Sequence, residues 1–215
     1  MWYAISMSIP DIFVYIIILL FSVILHEIAH GVMAERFGDS TARDAGRITL
    51  NPISHIDPIF TILIPLTLIL SGNPPFGAAK PVPVNYYRLH PRRLGIFWVS
   101  IAGILTNLLL AFIFSIPLHF STVNPIAAGF FYEAVVINIY LAVVNMIPIP
   151  PIDGSKVLAA ILGDWALDLV TRLESNGILG LIPFFIIIYL IFLTPLFTTV
   201  TTPVVGFFFK IFGLG

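Results

Sequence analysis

Cysteine is absent from all 215 residues, which excludes disulfides, thiolate ligands and cysteine nucleophiles and leaves His, Asp and Glu to hold any metal. Charge is scarce as well. Only 10% of the residues are charged, and ten scattered bases against eleven acids give a net charge of −1, so there is no basic patch for nucleic acid. Met1 to Pro10 lacks the basic stretch that opens a secretory signal, and the first apolar run is expected to be retained. No polar linker, low-complexity tract or clear repeat divides the chain, which reads as one domain over 1–215. What fills it is apolar: 59% hydrophobic residues and a mean hydropathy of +1.04, the composition of a multi-pass membrane protein.

Three stretches are long enough to cross roughly 30 Å of hydrocarbon: Ile12 to Phe37, Leu94 to Leu118 and Ile126 to Ile147. A fourth block, Ile178 to Phe212, is interrupted by Pro195 and Pro203 and reads as a helical hairpin of two shorter passes. Pro58 to Leu70 is short for a crossing, hence re-entrant or incomplete. Lys80 to Val84, with Pro81 and Pro83, is driven toward extended geometry: an edge for strand addition or a rigid membrane-dipping loop. The expected fold is therefore an all-α polytopic bundle of about five to six membrane segments with one dipping extended loop. Ser155 to Leu173 reads as one amphipathic helix with Asp164, Asp168 and Arg172 at four-residue intervals, either lying on the interface or, the preferred reading of the stripe, simply presenting a solvated face with an i, i+4 pair.

Basic residues orient the spans, because Lys and Arg collect on the cytoplasmic side. If Pro58 to Tyr87 enters and leaves from one face, all ten bases share that side. The N-terminus is then outside and the first span runs inward, in what is expected to be the cell membrane.

Inside that first span lies His26-Glu27-Ile28-Ala29-His30. Helical positions four apart are neighbours on one face, so both imidazoles can reach one ion. The spacing is that of zinc peptidases, where the intervening glutamate is a base and not a ligand. Ionisable groups at membrane depth are costly, which favours function over two histidines satisfied in a bundle.

A catalytic zinc usually takes three protein ligands. Position 36 is Arg, so the third histidine of the metzincin pattern is missing. His55, Asp57, His90, His119, Glu133 and Asp153 are the distant candidates. Asp153 ranks first, because Asn145-Met-Ile-Pro-Ile-Pro-Pro-Ile-Asp153-Gly154 follows a span that returns to the depth of the histidines. The competing role for Asp153 is to cap the helix beginning near Ser155. His55 and Asp57 suit loop hydrogen bonding, and His119 lies at the opposite end of its span.

The HExxH at 26–30 together with the NxxPxPPxDG segment at 145–154 resembles the site-2 protease family of intramembrane zinc metalloproteases. Gly46–Pro52, Gly77–Val84 and Ala102–Asn107 add to the likeness, which covers Ile12 to Leu162. The family's Gly-Pro is Gly103-Ile104 here. The resemblance implies one zinc per chain on His26, His30 and Asp153, with Glu27 as catalytic acid and base. It also implies a membrane-protein substrate whose transmembrane segment is cut. Asn145 and Asn107 are the candidate donors to an oxyanion or substrate, against a bland role in interhelical hydrogen bonding. Two other functions use the same residues: a metal-ion channel or transporter, and a non-cleaving membrane-binding homologue. The sequence is silent on an adaptor or a homo-oligomer.

Overall fold

In the computed structural model, residues 9–63, 79–177 and 196–214 are described, with 67, 182, 186, 187 and 194 as isolated positions. Among these residues regular structure is helical throughout. Helix α1 (Ile9–Arg36) is followed by the single turn α2 (Thr41–Asp44), a 3-10 turn at Pro52–His55 and a π turn at Pro58–Leu63. After an irregular segment at 79–85 come α3 (Arg92–Ser115) and α4 (Pro125–Asn145), then α5 (Asp153–Leu162), α6 (Asp164–Ser175) and α7 (Leu196–Ile211).

Three helical stretches are long and apolar enough to cross a membrane: Ile12–Arg36, Arg92–His119 and Pro125–Asn145. Their ends are marked by local chemistry. α1 stops where Gly38 takes φ +99, with Gly38 N–H bonded to Glu35 O at 3.0 Å and Asp39 N–H to Ala34 O at 3.0 Å. This is a Schellman closure, which needs a residue at ease with positive φ. α4 opens on Asn124, whose side chain accepts from Ala127 N–H, with Pro125 in the first turn.

α3 is the centre of the bundle and packs against α1, α4 and α5. Its buried side carries small or polar residues, among them Gly95, Ser100, Ala102, Gly103, Asn107 and Ala111. Beside them Ile96, Val99 and Ile104 are buried as well, while Leu105, Leu109, Phe112 and Ile113 are exposed. Exposed large apolar residues on one side and several small ones on the packed side suit a lipid surround and close helix contact. The protein is thus an integral membrane protein of all-α class.

One sequence expectation changes. Residues 155–173 form two helices, because Gly163 sits at φ +116 between α5 and α6, a conformation that side-chain-bearing residues rarely adopt. Ala166 and Leu167 pack α6 on the bundle, and Asp168 of the stripe pairs with Arg92 of α3 at 2.9 Å. Arg93 beside it donates to the Ala160 and Ile161 carbonyls at the end of α5. The short segment at 58–70 is a π turn as far as Leu63, and most of its remainder lies outside the described residues. Of the expected hairpin over 178–212, the second arm is α7, with Pro203 inside it; most of the first arm lies outside the described residues.

Candidate metal centre

Two four-residue stripes face each other across the antiparallel pair α1 and α3. Ser22, His26 and His30 form one; Val99, Gly103 and Asn107 form the other. A residue recurring every four positions stays close to one helix face, so matched stripes bring whole rows of groups together. His26 and His30 are 6% and 8% exposed. Their rings are nearly perpendicular, at 87°, with centroids 4.6 Å apart.

The Nε2 atoms of the two histidines lie 3.0 Å apart. Asp153 Oδ2 is 3.1 Å from the first and 3.2 Å from the second. Asp153 is the first residue of α5, whose N-cap position is taken by Ile152; its carboxylate faces the imidazoles. Gly154 permits this approach by α5: a Cβ there would lie 2.3 Å from the Met146 carbonyl oxygen. Gly103 does the same for the histidine wall, since a Cβ on it would fall 2.4–2.7 Å from ring atoms of His26.

The outward nitrogens show which atoms face the centre. His30 Nδ1 donates to the Val99 carbonyl at 2.7 Å, and a carbonyl can only accept. His26 Nδ1 meets Asn107 Oδ1 at 2.6 Å. With both Nδ1 atoms carrying protons, the Nε2 lone pairs point at each other and at a carboxylate. Three acceptors this close need a positive centre among them, a shared proton or a metal ion. The donor set, two imidazoles and a carboxylate, is that of a catalytic zinc, whose ligands stand about 2.0–2.2 Å from the ion and so roughly 3.3 Å from one another. The residues fit the ion. Among the described residues, this trio is the group of metal-capable side chains that converges.

Glu27, half-buried beside His26, accepts from Val82 N–H at 2.7 Å. Val82 belongs to the irregular segment at 79–85, which is tied down at several points. Lys80 N–H bonds His55 O at 2.9 Å, Arg47 donates to Lys80 O at 2.6 Å, and Asn85 N–H bonds Asp39 Oδ2 at 2.6 Å. His55 itself meets Thr49 O at 2.9 Å, a loop role. His119 Nε2 contacts Phe212 O at 2.9 Å, joining the end of α3 to the chain beyond α7. Asn145 donates back to Leu141 O at 2.8 Å. Asn107 has both ends engaged, its oxygen by His26 and its amide nitrogen by Asn138 Oδ1 at 3.0 Å.

The model of peptidase family M50 matches residues 120–190, a stretch that contains Asn145 and Asp153. YwhC of Bacillus subtilis, which carries a zinc metalloprotease name, is 37% identical over 200 residues, 89% of this chain and 85% of its own length. A match of that extent must take in the histidine helix as well. The chain belongs to peptidase family M50, the site-2 proteases. Rip2 of Mycolicibacterium smegmatis, also named a zinc metalloprotease, is 33% identical over 150 residues, 65% of this chain and 53% of the relative. A relative from Methanocaldococcus jannaschii is 39% identical over 87 residues, 39% of this chain and 44% of its own. No solved structure matches. Membership makes this M50 chain a metalloprotease by class.

Sequence reading assigned no contact at the site to Gly103, Val99, Ser22, Asn138 or Val82. Three carried a signal: Ser22 precedes His26 by one turn, Gly103 precedes Asn107 by one turn, and Asn138 is a lone amide inside an apolar span. Val99 and Val82 act through backbone atoms, which leave no trace in side-chain identity.

Proposed function

We propose that the protein is an intramembrane zinc endopeptidase that hydrolyses peptide bonds in or near transmembrane segments of other membrane proteins. The observation that carries this is the convergence of His26 Nε2, His30 Nε2 and Asp153 Oδ2 within 3.2 Å of one another, beside Glu27 and between apolar spans. These three residues would hold one zinc ion per chain. Zinc, when bound, supplies Lewis acidity toward water and toward the scissile carbonyl.

Glu27 is the general base: its carboxylate takes the proton of the attacking water and then delivers it to the departing amine. Val82 N–H anchors one carboxylate oxygen, Oε2, through a 2.7 Å bond, which leaves Oε1 for the water. Asn107 orients His26, and Asn145, at the end of α4, is the side-chain amide we assign to the carbonyl oxygen as it gains charge. The substrate segment must be locally unwound before its backbone can be reached. We place the N-terminus outside the cell membrane and the site toward the cytoplasm, where the basic residues collect.

Purified full-length protein is expected to bind one zinc per chain and to cleave a membrane-spanning substrate in a chelator-sensitive way. Glu27→Gln should keep the metal and lose about 10²- to 10⁴-fold in cleavage rate, the range for a lost general base. Wild-type cleavage by Glu27→Gln overturns the mechanism. Metal flux into liposomes without cleavage would instead favour a transporter.

A further inference from the structure

Ser22, Asn107 and Asn138 are all 0% exposed, and with His26 they form a chain of hydrogen bonds through the middle of the bundle. Asn138, on α4, donates through Nδ2 to the Ala134 carbonyl at 2.9 Å and to Ser22 Oγ at 2.9 Å. Its Oδ1 accepts from Asn107 Nδ2 at 3.0 Å. Asn107 Oδ1 in turn accepts from His26 Nδ1 at 2.6 Å. An amide has a donor end and an acceptor end of nearly equal shape, so its orientation must come from its partners.

Here the partners set it in sequence. The Ala134 carbonyl can only accept, so Nδ2 of Asn138 must face it, and Oδ1 must face Asn107. That oxygen then requires the nitrogen of Asn107, whose own oxygen is left for His26. Turning either amide over would press two oxygens together among fully buried groups. His30 needs no such relay, because its Nδ1 partner is itself a backbone carbonyl.

We propose that Asn138 is a positioning residue for the metal site: by fixing the amide of Asn107 it fixes which nitrogen of His26 carries the proton, and keeps Nε2 free for the ion. This rests on the zinc reading above. Asn138 lies one bond further out than the partners usually considered, yet it makes the choice that Asn107 cannot make alone.

The test is zinc affinity of the full chain in detergent, measured by competition with a chelating dye, with the Co(II) absorption spectrum as a second readout. Asn138→Leu removes the relay and is expected to bind zinc about tenfold more weakly, the lower end for an outer partner of a metal ligand. Asn138→Asp, protonated at this buried position so that its hydroxyl meets the Ala134 carbonyl, keeps a carbonyl acceptor for Asn107 and is expected to stay within about threefold of wild type. Asn107→Asp offers oxygen at both ends, so no orientation remains to be chosen. In that background Asn138→Leu should cost no further affinity.

Wild-type affinity in Asn138→Leu overturns the proposal, and so does a loss that persists undiminished in the Asn107→Asp background, which marks a merely structural role. Asn138→Ala takes the place of the leucine variant if that one does not fold. Absence of zinc binding by the wild type overturns the zinc reading and the relay together; an insensitive Asn138 overturns the relay alone.

Discussion

The two sides of the metal position are built differently. On one side His26 and His30 stand on a spanning helix, pressed against Gly103 and hydrogen-bonded to Asn107 and Val99 of α3. On the other, Glu27 is held by one backbone N–H from an irregular segment whose neighbouring positions, Pro81 and Pro83, have no N–H to offer. Packed helices fix an angle and a distance with little slack. A loop amide fixes only one oxygen. On the proposed reading, the ligands, which must not move, are set by helix packing, while the base, which must take up and give back a proton, keeps one carboxylate oxygen unbound by Val82.

The largest effect expected from breaking the ligand side is at Gly103. Its added Cβ in Gly103→Ala would lie 2.4–2.7 Å from three atoms of the His26 ring, far inside contact distance. The ring must swing or the helices must part, costing about 1–3 kcal/mol for overpacking. Zinc affinity should fall by about 10- to 100-fold, as when a ligand's support is lost. Dye competition on the purified variant checks this. Unchanged affinity would mean that the wall yields as easily as the loop.

Val82→Pro strikes the base side alone, removing the N–H that Glu27 accepts. Cleavage rate should drop by about tenfold, within the cost of a small misplacement of a catalytic group. Metal affinity should be unchanged, because none of the three ligands hydrogen-bonds to Val82. A fall in both would show that the two sides are coupled and that the division drawn here is false.

Legibility in the sequence follows the same division. The HExxH at 26–30 was readable because helical periodicity alone places both imidazoles on one face. Asp153 was readable because a returning span and three prolines bring it to the same depth. The stripe of Val99, Gly103 and Asn107 was not, since nothing local says which face of α3 meets α1. Asn107 was singled out for its amide, but its partner could not be inferred, and both of its ends turn out to be engaged inside the bundle. The break at Gly163 is a matter of backbone: glycine permits φ +116 but does not announce it. Periodicity and topology can be read from one chain, whereas pairings between distant faces need the fold.

The smallest expected effect sharpens the ligand side from its far end. Ser22→Ala removes one of the two acceptors of Asn138 Nδ2 and leaves the Ala134 carbonyl in place. A lost buried hydrogen bond should cost about 1 kcal/mol of stability, read as a lower unfolding midpoint. Zinc affinity should change by less than about threefold, because the remaining carbonyl still forbids Asn138 to turn over. If Ser22→Ala instead weakens zinc as much as Asn138→Leu does, the hydroxyl on α1 sets the orientation. The histidine helix would then fix its own tautomer through α4 and back.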